Sequence, residues 1–320
     1  MIKWLDIILS FRALILIWIL FIIIFYFRSD KEYKPSYKDK YYFKLPANYT
    51  PCEMSILINY SKLYSKDIIA TLTDLIIRKA LFITKIISND SILSSKSSDY
   101  KITRNENFNN SQLLEHETLL IKWLINIIGD GKSTTLTQIK NCTRKNYSAS
   151  AFKNDFNQWC ITANKTSKRN KFFKKQNTAI FIGTVISSIY MLSAILMIFI
   201  LKRYTGLFLI PISILTFIYS INVRKRTTEG QYQYELWMAF KRYIHNLNKD
   251  TELKCSISEC KKYIPYAISL STADNIFDYI DVNYSVEDFA ISPKELKNFI
   301  SYSSKTFQVC LKASDFAKSK

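Results

Sequence analysis

TAIFIGTVISSIYMLSAILMIFILKRYTGLFLIPISILTFIYSIN, residues 178–222, decides the fold class of this 320-residue chain. Thr178 to Leu201 carries no charged residue, and Gly206 to Asn222 follows after only Lys202-Arg203-Tyr204-Thr205. A helix rises 1.5 Å per residue, so about 20 apolar residues cross the roughly 30 Å of bilayer hydrocarbon. Two such runs joined by so short a link form an antiparallel transmembrane hairpin. Pro211 is expected to kink the second run without ending it, because neighbouring helices can satisfy the freed carbonyl.

Outward from the hairpin, Ile7 to Phe27 reads IILSFRALILIWILFIIIFYF and supplies a third span. Arg12 lies near its start, where its side chain can snorkel to the headgroups. A cleaved signal peptide fits less well, since the apolar run is too long and no small-x-small site follows it.

Flanking charge orients the spans. Arg28, Lys31, Lys34, Lys38, Lys40 and Lys44 follow the first. Lys165, Lys168, Arg169, Lys171, Lys174 and Lys175 precede the second, and Arg224, Lys225 and Arg226 follow the third. The hairpin tip has only Lys202 and Arg203. The expected topology is a multi-pass cell-membrane protein with its N-terminus outside and both soluble segments in the cytoplasm. Lys34, Lys38, Lys40, Lys44, Lys168, Arg169, Lys171, Lys174, Lys175, Arg224, Lys225 and Arg226 are then expected at the membrane surface, facing anionic inner-leaflet lipid.

The formal net charge of +19 is unevenly spread. Residues 28–177 hold 26 Lys and Arg against 13 Asp and Glu, whereas 223–320 hold 15 against 12. Such a surplus suits an anionic membrane surface and would also suit nucleic acid. Only five glycines occur, which disfavours a Gly-rich nucleotide-binding architecture. Cys52, Cys142, Cys160, Cys255, Cys260 and Cys310 are dispersed, and no second close pair joins Cys255 and Cys260 to complete a zinc site. Free thiols in a reducing cytoplasm are expected.

The reading divides the chain into a transmembrane helix (1–28), a basic Lys/Tyr/Pro linker (29–51), a central region (52–175), the hairpin (178–222), and a small C-terminal helical domain with a tail (223–320). In the central region a helix is expected over Cys52–Leu63. A second begins at Ser65 as N-cap, with Asp67 in its first turn and Ile68, Ile69, Leu72, Leu75 and Ile76 at helical spacing. ALFITKI (80–86) and YKITR (100–104) read as strands around a polar loop. Two helices and then two strands make a winged-helix-like α+β segment within a mainly α protein.

A helix over Ser111–Ile128 follows, then a Gly-Asp-Gly turn, a short helix marked by Leu136 and Ile139, and a stripe of Phe152, Phe156, Trp159 and Cys160. Gly129-Asp130-Gly131-Lys132-Ser133 resembles a phosphate-binding loop only superficially. Asn126 stands where glycine is needed, and a helix rather than a strand precedes it. Glu115-His116-Glu117 reads as a solvated patch. Beyond the hairpin, Tyr234, Trp237, Phe240, Tyr243, Ile244 and Leu247 share one helix side, Tyr263, Ala267 and Leu270 continue in another, and periodicity weakens past Val282.

LPANYTPCEMSILINYSKLYSKDIIATLTDLIIRKALFI (45–83) resembles a pattern in bacterial predicted membrane proteins of domain-of-unknown-function family 2207, in which a Pro-rich approach leads to a D-I-x-A-T-L-x-D-L-x-x-R helix and a short strand. Here that helix is Asp67 to Arg78. The hairpin, the Thr227–Tyr243 stretch with its Trp-Phe-Tyr spacing, and YIPYAISL (263–270) resemble the family's order of parts over about 25–280. The family's large extracellular β-rich domain and Gly-rich tail have no counterpart, and Ser271 stands where a glycine often follows. The resemblance therefore implies a truncated member lacking the outer domain, and it brings no catalytic residues.

No catalytic, cofactor-binding or metal-ligating set is recognisable, so a non-enzymatic protein is expected. Three spans offer little pore, leaving transport to a homo-oligomer. The choice narrows to a membrane-anchored module for an unidentified protein partner or a membrane-tethered nucleic-acid binder. The helix from Ser65 carries Lys66, Arg78 and Lys79 only at its ends, whereas base readout uses donors along a face. The protein-interaction reading is preferred, and specific nucleic acid is not expected.

Overall fold

With only five glycines and six prolines to interrupt it, the chain is mainly helical. The computed structural model describes residues 2–88, 97–144, 146–200, 202–285 and 292–318. The polar loop expected between the strands (89–96) lies outside them. Helix α1 (Ile2–Phe25) precedes α2 (Pro51–Ile58), α3 (Ser65–Ile77), strands β1 (Leu81–Ser88) and β2 (Ser97–Arg104), α4 (Glu115–Ile121), β3 (Ser133–Thr135), α5 (Leu136–Asn141) and α6 (Asn146–Ser167). Then come α7 (Asn177–Ile195), α8 (Leu209–Asn222), α9 (Thr228–Asn246), α10 (Ile257–Ser269), α11 (Ala273–Asn283) and α12 (Pro293–Lys318). These form two units, one from 1–35 and 171–232, the other from 36–170 and 233–320.

The first unit holds the apolar runs. Arg12–Asp30, Asn177–Ile200 and Tyr204–Asn222 are long and apolar enough to cross a membrane, matching the three expected spans. Small side chains let α7 and α8 approach closely, the usual means of packing helices where lipid removes the hydrophobic drive. A Cβ added to Gly183 would lie 1.8 Å from Ser220 Oγ. Ser213 Oγ donates to the Ser187 carbonyl at 2.8 Å. Helix α1 joins through Trp18, whose indole N–H donates to Thr216 Oγ1 at 2.8 Å, and through Tyr190, whose hydroxyl donates to the Leu14 carbonyl at 2.9 Å. Pro211 falls in the first turn of α8, after a tight turn over Tyr204–Phe208. There a missing N–H leaves no intrahelical bond unmade.

The second unit is built around α3, nine of whose thirteen residues are buried. Helices α2, α10 and α12 pack on it. The N-cap is Tyr64 rather than Ser65, with the Asp67 carboxylate accepting the Tyr64 N–H at 2.8 Å. Helix α2 stops at Ile58, short of Leu63, because Tyr60 and Ser61 take left-handed backbone at φ 51° and 67°.

Strands β1 and β2 pair antiparallel, from Leu81↔Arg104 to Ser88↔Ser97. The sequence reading missed β3, which adds to β2 with Lys101 opposite Thr135 and gives the sheet order β1-β2-β3. Tyr100 and Ile102 are buried on one sheet face, and the Tyr100 ring meets Phe299 of α12 at 5.6 Å. The stretch read as a weakly periodic tail thus carries the 26-residue α12, which packs on α3, α5 and α6. Helix α9 buries Trp237, Phe240, Tyr243 and Ile244, with Leu247 buried just past its end and Trp237 stacked on Tyr266 of α10.

Candidate functional site

In the first unit the end of α1, the start of α7 and the end of α8 meet. Phe25, Ala179 and Val223 form one buried cluster there, and Gln176 Nε2 donates to the Ser29 carbonyl at 3.0 Å. Two short extended segments tie the start of α7 to the end of α8. Phe173 bridges Arg226, the Lys174 N–H donates to the Lys225 carbonyl at 2.9 Å, and the Thr227 N–H donates to the Phe172 carbonyl at 2.9 Å. Gly230 is required beside them, since a Cβ would lie 2.2 Å from the Phe172 carbonyl oxygen.

This geometry gathers three of the basic flanks at one end of the bundle. Lys34, Lys171, Lys174, Lys175 and Arg224 are exposed. Lys225 and Arg226 are buried instead, a distinction that counting charges cannot make. Arg226 pairs with Glu32, Nη1 to Oε1 at 3.5 Å. The Lys225 and Lys174 ammonium groups lie over one ring, 4.9 and 5.0 Å from the centroid of Tyr33, a cation–π arrangement. The sequence singled out neither Tyr33 nor Glu32.

Lys38, Lys40, Lys44, Lys168 and Arg169 belong to the other unit and are exposed. Arg169 has a structural task there. Its Nη2 lies 3.0 Å from Oε1 of the buried Glu53, which also accepts from Asn170 Nδ2 at 3.0 Å.

Glu53 is one of three buried carboxylates with a shared design. Each sits in the first turn of a helix and uses one oxygen to accept a backbone N–H from the residue three before it. For Glu53 this donor is Thr50 at 3.0 Å, for Asp67 Tyr64 at 2.8 Å, and for Glu117 Leu114 at 2.9 Å. The second oxygen reaches across the fold. Glu53 takes Arg169 and Asn170, Asp67 takes the Ser269 hydroxyl at 2.9 Å, and Glu117 takes the Arg78 guanidinium. Arg78 also pairs with Asp74 at 2.9 Å. A signal for the first was visible in Thr50-Pro51-Cys52-Glu53, the spacing of a capping box. These carboxylates are consumed in holding helix starts to other segments, and both oxygens of each are engaged.

The reading of Glu115-His116-Glu117 as a solvated patch is corrected. Neighbours on a helix diverge, so Glu115 is exposed while His116 and Glu117 turn inward. Neither His116 ring nitrogen has a hydrogen-bond partner among the described residues, and burial lowers its pKa to about 4, which keeps the ring neutral at pH 7. At the Gly129–Ser133 turn, Asp130 Oδ1 accepts the Lys132 and Ser133 N–H groups at 2.9 and 2.6 Å. The protein's own carboxylate therefore occupies the place a phosphate would need. Among the described residues no three His, Cys, Asp or Glu side chains are grouped to hold a metal.

The sequence model of a family described as the C-terminal domain of a predicted membrane protein (DUF2207) matches residues 38–279. The chain belongs to this family. The DUF2207 match runs from the approach to α2 through most of α11, so it covers the second unit's first segment, the hairpin and the second segment as far as Tyr279, with α12 beyond it. Neither a curated protein nor a solved structure matches the chain. Membership in DUF2207 and the three apolar helices together place the protein among membrane proteins.

Proposed function

We propose that this DUF2207 protein is a membrane-anchored, non-enzymatic interaction module whose second unit receives a protein partner at the cytoplasmic face. The observation that carries this reading is the outer edge of β1. Strand β1 is outermost in its sheet, and among the described residues no segment pairs with its outer edge. Phe82 and Ile87 are 46% and 62% exposed along it. An unpaired edge is a template for an added strand, with main-chain hydrogen bonds giving affinity and flanking side chains giving choice. Lys79 and Lys85 stand exposed beside it, so the favoured occupant is an extended, acidic segment of a partner protein.

The winged-helix-like order of helices and strands does not favour nucleic acid. Helix α3, the element that would have to enter a groove, is at the centre of the core. The basic end of the bundle supports the expected orientation. Lys34, Lys171, Lys174, Lys175 and Arg224 suit the cytoplasmic leaflet and its anionic headgroups. The two segments of the second unit are then on one side, because two spans separate them.

The test places a photo-crosslinking residue at Thr84 of the full-length protein in native membranes, with and without Phe82→Lys and Ile87→Lys together. One protein adduct, lost in the double variant while its thermal melt is unchanged, is expected. The same adduct surviving in the double variant, an adduct to a second copy alone, or tight binding of one DNA sequence at physiological salt overturns the reading. For orientation, in a background without native cysteines, Tyr204→Cys should label in intact cells and Ser301→Cys only after permeabilisation. The reverse pattern inverts the topology.

A further inference from the structure

Cys255 lies in the extended approach to α10, and Cys260 lies in that helix's first turns. Both are buried, and their sulfur atoms are 2.8 Å apart, the closest sulfur–sulfur approach among the described residues. The approach is held from several sides. The Cys255 N–H donates to the Tyr279 hydroxyl at 3.1 Å, the Tyr284 hydroxyl donates to the Cys255 carbonyl, and the Tyr243 hydroxyl donates to the Lys254 carbonyl. On the other side, Ser256 caps α10 through a reciprocal bond with Glu259. Two thiols are thereby fixed in contact by elements that do not depend on a bond between them.

A cavity of about 770 Å³ reaches Cys255. Cys255, Leu253, Asp250, Tyr279 and Tyr284 are among its lining residues, while Cys260 is not. Cys255 thus borders the space a reagent would occupy, and Cys260 lies behind it.

We propose that Cys255 and Cys260 form a redox-active dithiol site that takes a low-molecular-weight disulfide of the glutathione class. Cys255 gives up its proton and attacks one sulfur of the external disulfide. That bond breaks, and one thiolate leaves. Cys260 gives up its proton and attacks the Cys255 sulfur, releasing the second thiolate. The two protons end on the two released thiols, so the external disulfide is reduced by two electrons and the protein pair becomes a disulfide. Thiol–disulfide exchange needs no other reactant. The hydrogen bond to Cys255 and burial raise the Cys260 thiol far above its ordinary range. Cys260 is therefore held as a thiol at neutral pH until the mixed disulfide forms beside it.

The full-length protein in detergent, treated with glutathione disulfide and then alkylated, tests the site. Free thiols should fall from six to four, and digestion should yield one linked peptide, two hydrogens lighter, joining Cys255 to Cys260. Cys260→Ser should stop at one glutathione on Cys255, and Cys255→Ser should keep its five thiols. Six thiols surviving in protein whose melt matches the untreated sample, or linkage through any of the other four cysteines, overturns the proposal. So does glutathione attached to Cys255→Ser. None of these outcomes bears on the β1 edge.

Discussion

Ser187, Ser213, Thr216 and Ser220 are buried in the unit of apolar helices, and Glu53, Asp67 and Glu117 are buried in the other unit. The two sets are satisfied by different means. Thr216 and Ser220 donate back to carbonyls of their own helix, at 2.7 Å each, and Ser213 needs only one carbonyl of the neighbouring α7. A hydroxyl can thus be satisfied locally wherever a helix runs. A carboxylate cannot, because both oxygens need donors and helix interiors offer none. It is tolerated where helix starts expose N–H groups and several segments converge. Charge in the first unit is accordingly confined to its ends, as expected of a span. In the second unit charge is built into the core and fastens its parts together.

The comparison predicts that breaking a carboxylate staple costs more than crowding the helix pair. Arg78→Ala leaves Glu117 buried with half its donors and Asp74 without its cation. It should destabilise the protein by about 3–5 kcal/mol, seen as a lower melting temperature and partly recovered by adding Glu117→Gln. An unchanged melt would remove the staple from the account. Gly183→Val drives a side chain into Ser220 and should cost about 1–3 kcal/mol, read from detergent-phase thermal melting followed by circular dichroism.

A third prediction concerns pH. Burial raises the Asp74 carboxyl to about 6, and the adjacent Arg78 only partly offsets it. A raised folded-state value means that the folded protein keeps a proton which the unfolded chain releases near pH 4. Asp74 therefore costs stability as pH rises from about 4 to 6, and the cost is complete above that range. Asp74→Asn should melt higher than the parent at pH 7.5, with the gap closing by pH 4. His116, lowered to about 4, acts in the opposite sense, since its contribution is lost as pH falls below about 6.5. The smallest effect is expected at Ser271, whose φ of 60° is left-handed. Ser271→Gly should gain up to about 1 kcal/mol by relieving the backbone, less what is lost with the Lys66 to Ser271 hydrogen bond.

What the sequence disclosed depended on how local the cause was. The spans were legible because a bilayer selects apolar runs by length. The helix over 65–77 was legible from its own periodicity, but its place in the core was not. Its cover comes from α10 and α12, distant in sequence, and without them an amphipathic helix after another helix suggests a reading helix. Strand β3 is three residues with no apolar alternation. Helix α12 hid its periodicity by burying Ser303, Thr306 and Ser314 among Phe299, Phe307 and Cys310. The left-handed backbone of Ser271 gives a physical reason for a glycine at that place. Among the basic residues, charge counting placed the flanks but could not separate exposed Lys174 from buried Lys225 and Arg226.

Because α3 lies in the chain's first hundred residues and its covering helix α10 begins at Ile257, synthesis separates the two in time. At about 5–20 residues per second, roughly ten to forty seconds pass between the emergence of α3 and that of α10. During that interval both hairpin helices are made while α3 has α2 beside it but lacks the cover of α10 and α12. The chain thus carries all three of its apolar helices before its second unit can close. A chain stopped after Asn222 would insert normally and still lack the core, making insertion and folding separable events in the life of one polypeptide.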